Sequence, residues 1–343
     1  MGDERKLVDE QKLAAYLESH LDGFRGPLST EKFPDGQSNP TFRVDALSGV
    51  YVLRRKPPGK LLKSAHAVDR EYRVISALAN SDVPVARAYH LCTDESVIGS
   101  MFYLMEYIEG RIFWDPALPG LGPDERGAVY EEMSRVLAHI HAIDPDEHGL
   151  ADFGKPGNYF ERQFDRWSGQ YRASETEVIA DMETLMTWLA ANMPPDDGRV
   201  SLVHGDFRLD NLIFDPLDAR IIAVVDWELS TLGHPLADLA YQCMQWHFPN
   251  TGKLRGLADV DIGNLGIPDE NAYIAAYLEQ AGMPAVENWS FYLAFCFFRL
   301  AAIVQGVKKR ALDGNASSQA ALQMGELVYP LSALGMKTIA KSP

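Results

Sequence analysis

Three polar residues in one short part of the chain have the types and spacing that phosphoryl transfer requires. Asp206 and Asn211 are five residues apart, and Asp226 follows twenty residues after Asp206. Phosphoryl transfer needs a carboxylate that orients the accepting hydroxyl, and oxygen ligands that hold Mg²⁺ across the phosphates. A single aspartate in a loop is usually a turn or cap residue. The combined spacing indicates phosphoryl transfer.

Short apolar segments flank these polar residues and must position them. Residues 200–203 are apolar and lead directly into His204, and residues 221–225 are apolar and end at Asp226. Apolar runs of this length beside polar loops are typical of buried strands. We therefore expect two short strands, arranged like a hairpin, that carry the loop and the carboxylate.

The bulk composition indicates a globular protein with room for two lobes. The chain has 343 residues, of which 46% are hydrophobic and 23% charged, with a formal net charge of −16. Such a charge disfavours a nucleic-acid or anionic-membrane partner, because neither supplies cations to pair with. We therefore expect a small-molecule substrate, with no nucleic acid and no membrane as partners. The sequence leaves the oligomeric state open, a homodimer included.

The location predicted from the sequence is the cytoplasm. The three cysteines are scattered along the chain, which favours no disulfide framework and suits a reducing compartment. The N-terminal stretch is polar and amphipathic, unlike a secretory signal. The most apolar run, residues 291–304, is interrupted by Arg299 and falls short of the ~20 residues of a membrane span.

Hydrophobic periodicity predicts an α+β protein. Residues 1–108 contain helical patterns at 9–21 and 64–79 and strand-like runs at 41–44, 50–54, 86–92 and 101–107. The remainder is mostly helical, with patterns at 130–142, 160–171, 174–193, 235–243, 271–280, 289–311 and 319–331. We predict two parts, a β-rich part at 1–108 and a larger helical part at 109–343.

The central segment resembles the aminoglycoside phosphotransferase and choline kinase-like family, which is related to the protein kinases. The resemblance lies in His204-Gly205-Asp206 with Asn211 and Asp226, and in residues 233–240, which match the family's GxPxxDLA pattern. It covers roughly residues 25–310. It implies a protein kinase-like bilobal fold, with a small antiparallel sheet in the N-lobe and a large helical C-lobe, and a reaction that uses ATP and Mg²⁺.

The resemblance also implies roles for the residues of the segment. Asp206 would be the catalytic base, and Asn211 and Asp226 would be the metal ligands. Arg208 would stabilise the transferred phosphoryl group. His204 and Asp238 would be structural supports of the catalytic loop.

Nucleotide binding would fall to the β-rich part. In a strand of this fold Val52 would lie against adenine and Arg54 on the phosphates, since side chains of alternate residues share a face. Protein kinases carry lysine at this position, and arginine is not its equivalent. Arg55 and Lys56 are alternatives for the same role. Glu71, on the predicted helix 64–79, would be the ion-pair partner.

Two further segments complete the expected nucleotide site. Residues 104–110 look like a kinase hinge, where the backbone of Glu106 and Ile108 would meet adenine and Met105 would line the pocket. The turn at residues 36–39 would cover the phosphates with Ser38 and Asn39. A turn with one glycine is weak evidence by itself.

A closer likeness bears on the substrate. Residues 52–59 and 154–163 look like the kinase-like domain of acyl-CoA dehydrogenase family members 10 and 11. That likeness implies a hydroxyacyl-CoA acceptor and a link to acyl-CoA metabolism. Three arginines could form a local basic pocket for it: Arg162, Arg166 and Arg299.

Other functions stay open from the sequence. The acceptor could be an aminoglycoside, choline or an amino sugar, because the motif determines the reaction and leaves the substrate undetermined. A non-catalytic nucleotide-binding pseudokinase is the rival from another class, although such proteins normally lose Asp206, Asn211 or Asp226. A metal-assisted hydrolase lacks a separate activated nucleophile in this sequence.

Overall fold

The computed structural model describes residues 8–34, 39–57, 67–251, 255–314 and 319–341. The chain forms two compact units. The first, called the sheet unit here, comprises Met1–Ile112, Asp146–Ala151 and Asp210–Ser230. The second, called the helical unit, comprises Phe113–Pro145, Asp152–Leu209 and Thr231–Pro343. The α+β class predicted from periodicity is confirmed.

Five antiparallel strands form the core of the sheet unit, in the order β1-β2-β3-β5-β4. Their bounds are Leu28–Lys32, Thr41–Ala46, Gly49–Arg55, Ala88–Cys92 and Phe102–Glu106, numbered β1 to β5 in chain order. The predicted hairpin is β2 and β3, whose register runs from Thr41 opposite Arg54 to Ala46 opposite Gly49. Strand β1 was not predicted, because Leu28 is its only buried residue.

Two helices pack on this sheet. Helix α1, Glu10–His20, contacts β1 and begins at Asp9, whose side chain accepts a hydrogen bond from the Lys12 amide. Helix α2, Val68–Ala77, contacts β4 and β5. It buries Val74 and Ile75, as its helical period predicts, but it also buries the charged Glu71. A buried carboxylate needs a charged or hydrogen-bonding partner, so α2 contributes a polar interaction as well as apolar packing.

A second hairpin belongs to the sheet unit although it lies a hundred residues further along the chain. It consists of β7, Leu212–Phe214, and β8, Ile221–Val224. The backbones of Arg111 and Phe214 exchange two hydrogen bonds of 2.8 Å. A Cβ atom on Gly110 would lie 2.4 Å from the Phe214 carbonyl oxygen, so only glycine fits there.

Because this hairpin belongs to the sheet unit, the bounds of the two compact units differ from those of the two parts predicted from the sequence. The expected parts were 1–108 and 109–343, whereas the sheet unit extends to Ile112 and takes in Asp210–Ser230. The physical reason is backbone pairing between distant residues, which hydrophobic periodicity does not report. The predicted hairpin of residues 200–203 with 221–225 is also wrong. Strand β8 pairs with β7, and the segment before His204 pairs elsewhere.

The helical unit contains the remaining helices and one small sheet. Its helices α3 to α11 are Pro123–His141, Tyr159–Ser174, Ala180–Ala191, Leu236–Cys243, Ile262–Leu265, Glu270–Gln280, Trp289–Leu312, Gln319–Gly325 and Val328–Ile339. Its strands β6, Ser201–Val203, and β9, Thr231–Gly233, pair with each other. The single helix predicted at 319–331 is two helices. Pro330 lies in the first turn of α11, where a missing N–H is tolerated.

Helix α9, Trp289–Leu312, is the centre of the helical unit. It packs against α4, α5, α6, α10 and α11. By length and composition it could cross a membrane, but 72% of its most apolar 18-residue window is buried inside the protein. This burial identifies it as the core helix of its unit.

Candidate active site

The loop that follows β6 carries the predicted catalytic base. Gly205 has a φ of +84°, in the region that favours glycine, and turns the chain directly after the strand. The carboxylate of Asp238 accepts hydrogen bonds from the backbone N–H groups of His204, at 2.6 Å, and Gly205, at 2.8 Å. One buried side chain therefore holds two consecutive amides of the loop.

Asp238 is itself held as a charged group. It is 1% exposed and lies at the start of α6, with the Nε2 atom of His141 3.3 Å from its Oδ2. Burial alone would raise the pKa of Asp238, but the hydrogen bond and charge of His141, with the Gly205 amide, hold that pKa below its ordinary value. The ring of His141 is held in turn by the Tyr277 hydroxyl.

His204 completes the support of the loop from within. Its ring is fully buried, and its Nδ1 atom accepts a hydrogen bond of 3.2 Å from the backbone N–H of Asp206. His204 and Asp238 both hydrogen-bond to backbone groups of the loop, and these bonds determine its path. Both were predicted as supports, and the structure places both at the loop.

The side chain of Asp206 projects from this loop and is 22% exposed. The hydroxyl of Tyr241 donates a hydrogen bond of 2.7 Å to its Oδ1 atom. The Nε atom of Arg208 lies 3.6 Å from the same oxygen, with the Arg208 side chain 52% exposed. Asp206 is therefore a carboxylate with a determined orientation and access to solvent, as a general base requires.

The three arginines predicted for the substrate occupy different environments. Arg299 donates from Nη2 to the carbonyl oxygen of Gly205, at 3.0 Å, so it is engaged with the catalytic loop. Arg166 lies over the ring of Trp167 at 5.1 Å, and Arg299 lies 5.7 Å from the same ring. Arg162 donates to backbone carbonyls of residues 155 and 156. The basic substrate pocket stays a prediction, and Arg299 has a second task.

In the sheet unit, the register of the strands brings the predicted nucleotide residues together. Val52 lies opposite Met105, and Arg54 lies opposite Tyr103, on β3 and β5. Val52 and Arg54 share one face, as period-two alternation predicts. Arg55 points the other way: it is 2% exposed and lies over the ring of Phe42. The alternation thus selects Arg54 over Arg55 as the cation on this face.

Arg54 is the centre of an ion cluster with three carboxylates. Its Nε atom lies 2.8 Å from Glu71 Oε2, which is the ion pair predicted from helix α2. Its Nη2 atom lies 2.5 Å from Asp226 Oδ1 and 3.7 Å from Glu228 Oε2. The Tyr103 hydroxyl donates to Glu71 Oε2 at 3.1 Å. A single guanidinium thus connects β3, α2 and the segment after β8.

Burial and neighbouring charges shift the pKa values of two members of this cluster. Glu71 is 1% exposed, and burial together with the charges of Asp226 and Glu228 raises its pKa to about 7, against the attraction of Arg54. The pKa of Arg54 is raised as well, because Glu71 and Asp226 outweigh its burial. The buried carboxylate of Glu71 therefore depends on the positive charge of Arg54 to stay ionised.

The expected phosphate-covering turn is only partly described. Ser38 lies outside the described residues. Asn39 is 1% exposed, and its side-chain amide donates to Glu71 Oε1 at 2.7 Å and to Glu228 Oε2 at 3.3 Å. Its side chain therefore supports the carboxylates of the Arg54 cluster, a different role from the predicted contact with phosphate.

The two predicted metal ligands are neighbours at the end of the β7–β8 hairpin. The Val225 N–H donates to the Asn211 carbonyl at 2.9 Å, which extends the ladder to the residue before Asp226. Asp226 has φ 66° and ψ 56°, a left-handed conformation that a non-glycine residue adopts at a cost. Strain of this kind is typical of functional positions.

These residues suit Mg²⁺. The Asn211 amide and the Asp226 carboxylate offer oxygen ligands, and the Asp226 side chain is 31% exposed. In the described part of the chain, no group of three or more His, Cys, Asp or Glu side chains could hold a metal ion.

The predicted hinge, residues 104–110, begins in the last residues of β5 and continues after the strand. The Glu106 N–H donates to the Arg87 carbonyl at 2.9 Å, within the sheet, so this N–H is used by the fold. Met105 is half-buried beside Val52, and Ile108 is half-buried in the segment after the strand. The structure therefore brings Val52 and Met105 to one place, where an adenine ring could pack.

Sequence reasoning missed two residues of these centres. Glu228 joins the Arg54 cluster, and its position two residues after Asp226 was a usable signal. Tyr241 contacts Asp206, and it lies three residues after Asp238 on α6. Residues three apart share a helix face. The helix that holds the loop with Asp238 was thus bound to present residue 241 to the same loop.

Comparison with known proteins places this geometry in context. The sequence pattern of the phosphotransferase enzyme family matches residues 29–290. The chain is 49% identical over 324 residues to acyl-CoA dehydrogenase family member 10 of Mus musculus. That match covers 93% of this chain and 30% of the mouse protein. The chain thus spans about a third of the length of that relative.

Solved structures give a similar answer. A Ralstonia eutropha protein, provisionally described as an aminoglycoside phosphotransferase, superposes with a TM-score of 0.90 at 50% identity, covering 98% of this chain and 99% of its own. Spectinomycin phosphotransferase, solved with ADP and spectinomycin, gives a TM-score of 0.63 at 13% identity and covers 96% and 98%. The second likeness shows the fold alone. The predicted kinase-like fold is confirmed.

Proposed function

The chain belongs to the phosphotransferase enzyme family, and from that premise we propose that it is an ATP-dependent small-molecule kinase. It would transfer the γ-phosphate of ATP to a hydroxyl of the substrate. The observation that carries the proposal is the Arg54 cluster, in which one cation links the helix carboxylate Glu71 to the carboxylate Asp226. A strand cation paired with a helix glutamate is the device with which kinases hold nucleotide phosphates.

Each residue has a role in this proposal. Val52 and Met105 would enclose adenine, with the backbone of Glu106 and Ile108 at its edge, and Arg54 would bind phosphate. Mg²⁺, held by Asn211 and Asp226, would neutralise charge on the phosphates.

The acceptor side of the reaction belongs to the helical unit. Asp206 would orient the hydroxyl and accept its proton, and Arg208 would stabilise charge on the transferred group. The supports of the loop, His204 and Asp238, keep Asp206 in place without touching the substrate.

For the acceptor we propose a hydroxyacyl-CoA. The support is the identity with acyl-CoA dehydrogenase family member 10 over nearly the whole chain, together with the arginines of helix α4, which could bind an anionic group. Arg162 and Arg166 lie one turn apart on that helix. Aminoglycosides, choline and amino sugars are the alternative acceptors.

The first prediction tests the reaction. Purified protein with MgATP is screened for ADP formation with hydroxyacyl-CoAs, aminoglycosides, choline and amino sugars. The substitution Asp206→Asn should preserve MgATP affinity while lowering turnover about 10³-fold or more, because it removes the base and leaves the nucleotide residues intact.

Three results of this experiment would speak against parts of the proposal. Near-normal turnover in Asp206→Asn would remove Asp206 from the mechanism. MgATP binding with no transfer to any acceptor would favour the pseudokinase alternative. Transfer to an aminoglycoside and not to a hydroxyacyl-CoA would retain the kinase and replace its substrate.

A further inference from the structure

We propose that Tyr241 is a positioning residue that orients the carboxylate of Asp206 for phosphoryl transfer, and that Arg299 and Trp167 hold Tyr241 in place. This inference rests on the proposed function, because it assigns a task to Tyr241 only if Asp206 is the base. All four residues belong to the helical unit.

The first argument is the contact itself. The Tyr241 hydroxyl donates a hydrogen bond of 2.7 Å to Oδ1 of Asp206. A carboxylate on a loop can rotate about its Cβ–Cγ bond, and a general base works only when its lone pair points at the proton. The phenol hydrogen bond removes this rotation before the acceptor binds.

The chemical step shows why orientation matters. The acceptor oxygen forms a bond to the γ-phosphorus, while the bond from that phosphorus to the ADP oxygen breaks. The hydroxyl proton passes to a carboxylate oxygen of Asp206. Since the protein forms no covalent intermediate in this step, its contribution is positioning and electrostatics, so a rotated carboxylate would be costly.

The second argument is that the ring of Tyr241 is held on a cation. The Arg299 guanidinium carbon lies 5.8 Å from the Tyr241 ring centroid and 5.7 Å from the Trp167 ring centroid. The same guanidinium donates to the Gly205 carbonyl. Arg299 therefore contacts both neighbours of Asp206. It binds the backbone of Gly205, directly before Asp206, and it contacts the ring of Tyr241, whose hydroxyl binds the Asp206 side chain.

The third argument concerns the state of the hydroxyl. Burial, followed by the charge of Asp206, raises the pKa of Tyr241 well above its ordinary value. The phenol consequently keeps its proton and stays a donor. Helix α6 thus holds the loop at two places, with Asp238 on the backbone and Tyr241 on the side chain.

The substitution Tyr241→Phe removes only the hydroxyl. We expect turnover to fall roughly 10- to 100-fold, the range of one hydrogen bond to a charged group. The affinity for MgATP and the melting temperature should stay close to wild type, because the ring still packs on Arg299. Tyr273→Phe is the matched control, since Tyr273 is buried in the same unit and its hydroxyl has no hydrogen-bond partner among the described residues.

A double-mutant cycle separates positioning from a general structural effect. Tyr241→Phe is combined with Asp206→Ala, and two rates are measured with MgATP, transfer to hydroxyacyl-CoA and phosphate release to water. If Tyr241 acts through Asp206, Tyr241→Phe lowers the rate only slightly in the Asp206→Ala background. An equal loss in both backgrounds, or no loss from Tyr241→Phe alone, would overturn the proposal.

Two further outcomes are covered. If Tyr241→Phe fails to fold, the same cycle is run with Arg299→Lys, which keeps the charge but loses the planar contact with both rings; a loss that persists without Asp206 would count against the proposal. If the wild-type protein neither transfers nor releases phosphate, the proposed function fails first. If the wild-type protein transfers phosphate and the effects of the two substitutions are additive, the positioning role of Tyr241 is refuted. The proposed kinase function is then unaffected.

Discussion

At the scale of single residues, Arg54 is the most informative departure from protein kinases. A lysine has one nitrogen, whereas Arg54 contacts Glu71 through Nε and Asp226 through Nη2. The rigid fork of a guanidinium can hold two carboxylates in a determined geometry, and an ammonium group holds them only as a point charge. The arginine therefore connects Asp226 to helix α2.

This geometry predicts that the conservative substitution is not conservative. Arg54→Lys should lower the free energy of unfolding by about 2 kcal/mol, because a single ammonium group cannot replace the contacts with both Glu71 and Asp226, and a buried carboxylate then loses its ion-pair contact. MgATP affinity should fall as well. Chemical denaturation and nucleotide titration measure the two effects.

The neighbouring strand supplies the control for that substitution. Arg43 on β2 binds Asp45 with its side chain 36% exposed, and Arg43→Lys should change stability and nucleotide affinity little, since exposed ion pairs contribute weakly. Equal effects of the two substitutions would show that the connection through Arg54 has no special value.

At the scale of elements, helix α6 determines the path of the catalytic loop. Its Asp238 is buried and accepts from two loop amides. Because the pKa of Asp238 is lowered in the folded protein, the group stabilises the fold above its unfolded pKa of about 3.8, and this stabilisation is lost as the pH falls through the folded value.

The prediction for this helix is a pH-dependent stability difference. Asp238→Asn should cost about 2 kcal/mol near neutral pH, since a neutral amide oxygen is the weaker acceptor. The difference between variant and wild type should shrink below about pH 3.8, because the unfolded wild-type chain takes up a proton at Asp238 there, whereas the folded protein does so only at a lower pH. Denaturation curves over that range measure it. Asp313→Asn, at the exposed end of α9, should show no comparable difference; if it does, the effect belongs to net charge.

The element scale also shows what the sequence could and could not predict. Period-two alternation on β3 placed Arg54 on the face of Val52. The kinase resemblance then predicted Glu71 as its ion-pair partner, and the structure shows this pair. The motif after β6 was enough to predict Asp206, Asn211 and Asp226 as site residues, and their roles stay predictions. The pairing of β6 with β9 and β7 with β8 depends on residues up to 32 apart, Ser201 and Gly233, and short apolar strands offer several equivalent partners.

Side-chain contacts between elements were the least predictable part. Arg299 was expected in a substrate pocket, yet its guanidinium binds Gly205. On the sequence it lies in an aromatic helix with no sign of the loop ninety-four residues away. Tyr241 was missed for the opposite reason: α6 reads as an apolar core helix, and only the position of Asp238 reveals which face meets the loop.

At the scale of the whole molecule, nucleotide and metal should act on the stability of the chain together. A ligand that binds only the folded state adds about 2.7 kcal/mol at one hundred times its dissociation constant. ATP should therefore raise the melting temperature, and the rise should be larger with Mg²⁺ present.

The substitution Asp226→Ala is expected to abolish the Mg²⁺-dependent part of that rise, because it removes one of the two proposed metal ligands. Differential scanning calorimetry with ATP, with and without Mg²⁺, measures it. Asp45→Ala on β2, whose partner is the exposed Arg43, should leave the Mg²⁺ dependence intact. An undiminished Mg²⁺ effect in Asp226→Ala would place the metal elsewhere.

The sheet unit is assembled from three separate stretches, and the last of them ends at Ser230. During synthesis on the ribosome, Arg54 and Glu71 therefore emerge long before Asp226 and Glu228. The nascent N-terminal sheet must wait for more than a hundred further residues before its ion cluster is complete. A gene fragment that stops after residue 112 would encode all five strands and α2 but leave Arg54 without its carboxylate after β8. The order in which the ribosome releases the chain thus delays completion of the Arg54 cluster until the loop after β6 has also been made.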